Sequence, residues 1–192
     1  VSPAPRVALI TGAARGQGRA EALRLAAAGY HLVLVDLCAD LPGIPYSLAT
    51  QEDLADTAAA ATAAGSRVVA RVADVRDEAA LSEAVAAGVT ALGGLDAVVA
   101  NAGVFAAGPA WETPPQTWDT VLAVNLTGAW NTVRAAVPAL LARGGGALVF
   151  VASIAGLKGI ENLAAYGASK HGVLWLMRAL AAELAPHGIR AN

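Results

Sequence analysis

An alternation constrains this chain more than any other feature of its sequence. Short runs rich in Val, Leu and Ile (Val7–Thr11, His31–Asp36, Arg67–Asp74, Asp96–Ala100 and Ala147–Ser153) are each followed by a longer Ala/Leu stretch with charges at helical spacing. The helical patterns lie around Arg19–Ala28, Glu52–Ala64, Asp77–Leu92, Thr117–Ala142 and Tyr166–Ala185. The apolar runs are continuous, so both faces of their sheet must be covered, which favours parallel pairing. Strands alternating with helices of this length imply right-handed crossovers and a doubly wound α/β sheet with helices on both faces. A chain of 192 residues with no repeat or linker suits a single domain.

The punctuation agrees. Gly29 and Gly65 sit where helices should stop, Thr50 with Asp53 has the form of a capping box, and Pro186-His187-Gly188 ends the last helix before Ile189 opens another strand. Pro138 falls inside a helical pattern and predicts a kink or an early helix end. One segment breaks the rhythm: Leu37–Ala49, with Pro42, Gly43 and Pro45, follows the second strand where connections usually take about 2–6 residues. A long loop there is more often functional than a tolerated surface insertion.

Composition removes whole classes of function. With 15 acidic against 13 basic side chains, a net charge of −2 and no basic block, neither nucleic acid nor an anionic membrane is an expected partner. The chain is 56% hydrophobic, yet its longest charge-free stretch, Ala97–Trp111, is broken by Asn101, Gly103, Gly108 and Pro109 and is too short to span a bilayer. Cys38 is the single cysteine, and His31, His171 and His187 show no ligand spacing, so neither a disulfide framework nor a metal site is expected. Val1–Ile10 has no cationic and apolar leader pattern, which points to a cytoplasmic protein. Trp111, Trp118, Trp130 and Trp175 read as core or interface residues, Cys38 as a packed side chain, and Lys158 and Glu161 as solvated charges.

Chemistry concentrates where strands end. Thr11-Gly12-Ala13-Ala14-Arg15-Gly16-Gln17-Gly18 follows the first strand and opens a helix. A dinucleotide pyrophosphate needs backbone N–H groups at a helix N-terminus with no Cβ in the way, and Gly12, Gly16 and Gly18 supply that clearance. Their GxxxGxG spacing differs from GxGxxG, so the strand–turn–helix context carries the inference. Asp36, ending the second strand, can accept both ribose hydroxyls and would repel a 2′-phosphate, favouring NAD over NADP, although Arg15 in the loop pulls the other way. Tyr166 and Lys170, one helical turn apart, share a face, and an ammonium beside a phenol favours the phenolate that acid–base catalysis requires. Ser153, at the end of the fifth strand, can hold a substrate oxygen; taken alone it would be a loop or cap residue. Asn125 and Gly128 are poor helix formers inside a helical pattern, so a local break that binds water would explain them. Asn101-Ala102-Gly103 reads as a turn that holds cofactor or strands, and Asp74-Val75 is placed to touch adenine.

Taken in order, TGxxxGxG, the strand-end Asp, DV, NAG, VNxxG, Ser and YxxxK, the chain resembles the short-chain dehydrogenase/reductase family over essentially its whole length. The resemblance implies a Rossmann-like fold, homotetrameric assembly and a catalytic set of Asn125, Ser153, Tyr166 and Lys170. Tyr166 would be the general acid/base, Ser153 would orient the substrate oxygen, Lys170 would bind the nicotinamide ribose and tune Tyr166, and Asn125 would hold a relay water. Gly12, Arg15, Gly16, Gln17, Gly18, Asp36, Leu37, Asp74, Val75, Asn101, Ala102 and Gly103, with Tyr166 and Lys170, would contact NAD. Gly12–Arg19, Asp36-Leu37-Cys38 with its proline-bearing insert (residues 37–50), Leu48–Ala55, Ala155–Gly159 and Lys170–Val173 further resemble a mycofactocin-coupled subgroup that includes carveol-dehydrogenase-like enzymes. In that subgroup the insert covers a tightly held NAD, reoxidised by mycofactocin, whereas Tyr166–Lys170 (YGASK) stays closer to the general family. The implied reaction is hydride exchange with a small, largely apolar secondary alcohol or ketone. An NADP-dependent acyl-thioester ketoreductase and a non-catalytic dinucleotide sensor are the alternatives. Asp36 and the insert weigh against the first, and retention of both Tyr166 and Lys170 against the second. Because Ile189–Asn192 only begins a sixth strand, the polypeptide is expected to continue past Asn192.

Overall fold

The computed structural model describes residues 5–192. Six strands, β1 (Val7–Thr11), β2 (His31–Asp36), β3 (Val68–Val72), β4 (Ala97–Ala100), β5 (Gly146–Phe150) and β6 (Ile189–Ala191), form one sheet in the order β3-β2-β1-β4-β5-β6. Every neighbouring pair is parallel, with β1 as the pivot: Leu9 lies opposite Val33 on one side and Val98 on the other. The connecting helices are α1 (Gly16–Ala27), α2 (Gln51–Ala63), α3 (Glu78–Leu92), α4 (Pro115–Leu122), α5 (Gly128–Arg143) and α6 (Ala164–Leu184).

The continuous apolar runs divide between two cores because successive strand side chains point to opposite faces. Leu9, Val33, Val35 and Val98 join the cluster built with α3, α5 and α6, while Ile10, Leu32, Leu34 and Val99 join the one beneath α1 and α2. Leu9, Ile10, Leu32 and Leu34 are fully buried, as a sheet sandwiched between helical layers requires. Thr50 and Asp53 form the expected reciprocal capping box, and Asp77 caps α3 through the N–H groups of Ala79 and Ala80. Among the described residues no helix is long and apolar enough to cross a membrane.

The structure departs from the sequence expectations in several places. The single helix expected over Thr117–Ala142 is α4 and α5 joined by a π-helical turn, Ala123–Thr127, with Asn125 inside it. Pro138 does not end α5, which continues to Arg143 and stops where Gly144 takes a left-handed conformation. The ring therefore costs the N–H that would bond Arg134, but the flanking turns and the packed Ala136 and Leu140 hold the helix together. Strand β5 ends at Phe150, so Ser153 is not a strand residue; it caps a 3-10 turn, Ile154–Gly156. Strand β3 likewise stops at Val72, leaving Asp74 and Val75 in the loop beyond it. None of the four tryptophans is in the core: Trp111 and Trp175 are 85% and 67% exposed, and Trp118 and Trp130 sit on the outer surfaces of α4 and α5.

Candidate functional site

The C-terminal ends of β1, β2, β4 and β5 open on a cleft of about 340 Å³, at the point where the strand order reverses between β1 and β4. Open α/β sheets bind ligands at this switch point. Its floor is the glycine loop. Arg15 occupies the N-cap of α1 without a side-chain cap, and the first turn carries no acidic residue. The leading N–H groups of the helix thus remain free to meet an anion.

The glycines of this loop do different work. Gly16 has φ +55 and no atom within 4 Å of where a Cβ would stand, so its bare face is the open side. Gly18 is the reverse: a Cβ there would lie 2.1 Å from the Gly12 carbonyl oxygen and 2.6 Å from Asn101 Nδ2. Asn101 closes the loop onto β4, donating from Nδ2 to the carbonyls of Thr11 (2.9 Å) and Gly12 (3.0 Å). Of the two roles open to it, cofactor or strand holder, the second is the one seen in these bonds. Thr11 Oγ1 adds to the tie by accepting from the N–H groups of Asn101 and Ala102.

Asp36 sits at the far wall. One carboxylate oxygen accepts from Ala14 N–H (2.9 Å) and the other from Cys38 N–H (3.2 Å), leaving lone pairs on both for a vicinal diol. Burial and the Asp36 charge push the Cys38 thiol up to about 11, so it is a packed thiol and not a nucleophile at neutral pH. Arg15, at the rim of the cleft, donates to the Ser47 carbonyl (2.8 Å). That contact ties the glycine loop to the 37–50 segment, which forms an ordered strap. Thr117 and Thr120 of α4 donate to the carbonyls of Gly43 and Pro42, and Leu41, Ile44 and Leu48 pack into the core. Beyond β3, burial alone would raise the Asp74 carboxyl, but the bidentate Arg76 guanidinium holds it below the usual carboxylate range.

Tyr166 and Lys170 stand opposite, on the first turns of α6. The Lys170 ammonium lies 5.8 Å from the centroid of the Tyr166 ring and donates to the Val151 carbonyl (2.6 Å). Its side chain is almost wholly enclosed, and that burial lowers it from 10.5 to about 8. Between those values the unfolded chain keeps a proton that the folded chain has lost, so folding stability rises with pH through this window. Replacing Lys170 by Met should give a more stable protein at pH 7. Its advantage over wild type should shrink above pH 8, by up to about 1.4 kcal/mol per pH unit. Urea unfolding at pH 7, 8.5 and 10 measures this, and parallel curves would contradict it.

Asn125 lies behind this pair, 1% exposed. Its Oδ1 accepts from Val104 N–H (2.8 Å), and its Nδ2 donates to the Val104 carbonyl (2.9 Å) and to Ser169 Oγ (3.0 Å). Ser169 Oγ in turn donates to the Tyr166 carbonyl (2.7 Å), so the π-turn braces both the loop after β4 and the first turn of α6. Ser153 Oγ accepts from Ala155 N–H (3.1 Å), which leaves its hydroxyl hydrogen to donate.

Most residues expected to contact a cofactor, from Gly12, Arg15, Gly16 and Gln17 through Asp36, Leu37, Asp74 and Val75 to Asn101, Ala102 and Gly103, line this one cleft with Tyr166 and Lys170. Gly18 is packed within the glycine loop, Asn125 is enclosed, and Ser153 follows the lining residues Val151 and Ala152 without joining them. Sequence reasoning missed Leu41, Leu48, Phe105 and Val124 as lining residues and Ser169 as a brace. Apolar residues in loops carry no signal in a linear pattern. The serine inside Tyr166–Lys170 could have been noticed, because its spacing puts it on the buried side of the helix.

The residues fit a dinucleotide: an uncapped helix N-terminus with a bare glycine face, a strand-end carboxylate with spare lone pairs, and a Tyr–Lys pair at the other end. Comparison with known proteins agrees. The family model described as short chain dehydrogenase matches residues 6–192. An NAD-dependent oxidoreductase of Mycobacterium tuberculosis (strain H37Rv) is 50% identical over 189 residues, which is 97% of this chain and 69% of that protein. The (−)-trans-carveol dehydrogenase of Rhodococcus erythropolis is 47% identical, over 97% of this chain and 68% of its own length. Among solved structures, carveol dehydrogenase from Mycobacterium avium in complex with NAD superposes with a TM-score of 0.96 at 46% identity, covering 98% of this chain and 69% of that one.

Proposed function

The chain belongs to the short-chain dehydrogenase family, and from that membership we propose that it is an NAD-dependent oxidoreductase interconverting a small, largely apolar secondary alcohol, of the carveol kind, with its ketone. One observation carries this reading: the Tyr166–Lys170 pair and the Asp36–glycine-loop end line the same cleft. When bound, NAD supplies the acceptor or donor of a hydride. The first N–H groups of α1 would hold its pyrophosphate, Asp36 would accept from the adenosine ribose hydroxyls, and Asp74 and Val75, which line the same cleft, would meet the adenine.

Tyr166 Oη takes the hydroxyl proton of the alcohol in oxidation and returns it to the carbonyl oxygen in reduction. The Lys170 ammonium keeps positive charge beside the phenolate that forms and has further N–H donors for the nicotinamide ribose. Ser153 donates its free hydroxyl hydrogen to the substrate oxygen. Both Asn125 Nδ2 hydrogens are committed to Val104 and Ser169, so a relay water held by Asn125 would donate to one of its carbonyl oxygens.

Two further features support NAD held beneath the strap. The carboxylate of Asp36 disfavours a 2′-phosphate, and Arg15, the cation that could have favoured one, is turned to Ser47. NADH should therefore bind at least about tenfold more tightly than NADPH, a difference of about 1.4 kcal/mol. The strap crosses the adenosine end and would slow cofactor exchange, which suits reoxidation in place by mycofactocin. Protein purified without added nucleotide should release NAD at near-stoichiometric levels on denaturation, read by absorbance and mass spectrometry. Recovery of bare protein would remove the sequestered-cofactor part of this reading. Homo-oligomerisation, to a tetramer by the same resemblance, would cover the exposed indoles of Trp130 on α5 and Trp175 on α6 in a cytoplasmic protein.

A further inference from the structure

The strap has an anchor that the cofactor reading does not use. Tyr46, next to the Ser47 whose carbonyl Arg15 meets, accepts a hydrogen bond on its hydroxyl from the Phe105 N–H (3.0 Å). The two rings also meet, with centroids 5.5 Å apart. Phe105 in turn stands edge-on to Tyr166, with centroids 6.1 Å apart at 68°. It lines the cleft while remaining 48% exposed, a large apolar ring presented beside the Tyr166 ring. The preceding residue, Val104, is clamped through both its N–H and its carbonyl by Asn125. Consecutive backbone units of the loop after β4 are thus held by two different elements, one by the π-turn and one by the strap.

We propose that Phe105 is a wall of the substrate site and that Tyr46 is its positioning residue, so that the 37–50 strap sets selectivity for the carbon skeleton as well as covering the adenosine end. This rests on the reading of Tyr166 as the acid/base group. The Tyr46 hydroxyl and ring together pin the Phe105 backbone and hold its ring at the edge of Tyr166. An alicyclic secondary alcohol can lay an apolar face on that ring while its oxygen meets Tyr166; a short linear alcohol gains much less from it. Without Tyr46 the loop loses an N–H partner and an aromatic contact, and the wall becomes mobile.

The test compares cyclohexanol with 2-butanol as substrates for the intact protein with NAD. Tyr46→Ala should lower the ratio of kcat/KM for cyclohexanol to that for 2-butanol about three- to tenfold, mainly through KM. Tyr46→Phe, which keeps the ring and loses the acceptor, should fall between. Phe105→Ala should lower the ratio at least as far, and adding Tyr46→Ala to it should change nothing more, because positioning needs something to position. An unchanged ratio in Tyr46→Ala, or fully additive effects in the double variant, overturns the assignment. A second readout needs no turnover: hydrogen exchange at the Phe105 amide should accelerate at least about tenfold in Tyr46→Phe, and unaltered exchange also overturns it. If wild type turns over neither alcohol, the reading of Tyr166 fails on its own, and calorimetric binding of cyclohexanone then decides the wall. The same three- to tenfold loss of affinity in Tyr46→Ala supports it, and equal affinity overturns it.

Discussion

Tyr166→Phe is expected to lose between about 10² and 10⁴ of kcat, the span that a positioned general acid or base contributes. NAD should still bind within about twofold of wild type, a difference of about 0.4 kcal/mol. The substitution removes one oxygen and leaves the edge-on contact with Phe105, the Lys170 bond to the Val151 carbonyl and the Ser169 brace in place. Steady-state turnover with NAD and a secondary alcohol gives the first number, and quenching of the protein's fluorescence on NADH titration gives the second. Turnover within tenfold of wild type would mean that another group handles the proton. Loss of both activities would mean that the hydroxyl holds the cofactor or the fold.

Gly18→Ala is expected to be nearly as damaging by a different route. The added methyl would stand 2.1 Å from the Gly12 carbonyl oxygen, 2.8 Å from its carbon and 2.6 Å from Asn101 Nδ2. None of these is the far end of a flexible side chain, because Asn101 is itself tied to Thr11 and Gly12. The loop must open, at a cost of about 3 kcal/mol or more for such overpacking. With it go the register of the α1 N-terminus and, we expect, at least about 100-fold in NAD affinity, or about 2.7 kcal/mol. Gly16→Ala is the informative contrast. Nothing crowds a Cβ there, so its fold stability should fall only by the roughly 1–2 kcal/mol of a left-handed alanine. Thermal unfolding of both apo variants, with NADH titration of each, separates a packing glycine from a clearance glycine. Equal destabilisation by the two would remove that distinction.

The linear pattern exposed the site unevenly. The glycine loop, Asp36 and the Tyr166–Lys170 pair were legible because each depends on spacing along one element or on the end of one strand. Ser153 was legible as chemistry but misplaced in structure, since β5 stops at Phe150 and the serine caps the next turn. Asn125 was flagged by its poor helix propensity, and the π-turn accounts for it. That turn is stabilised by a buried amide bonding the Val104 backbone, a partner 21 positions away that no window of helical period includes. Pro138 misled for the opposite reason: a local rule predicted a break that tertiary packing overrides.

What the sequence determined by itself was therefore everything encoded at short range. Apart from the break between α4 and α5, the order of strands and helices, the burial of both sheet faces, the capping of α2 and the residue types at the strand ends follow from periods of one to four residues. Only the tertiary structure decided how the 37–50 segment is used. Its proline-bearing irregularity marked it as unusual, but its function lies in contacts with three separate elements: Arg15 to Ser47, Thr117 and Thr120 to Gly43 and Pro42, and Tyr46 to Phe105. The physical reason is that an irregular segment has no internal hydrogen-bond ladder, so its backbone groups find partners wherever the sheet twist and helix packing bring them. Those partners tie the strap to the glycine loop, to α4 and to the ring beside Tyr166.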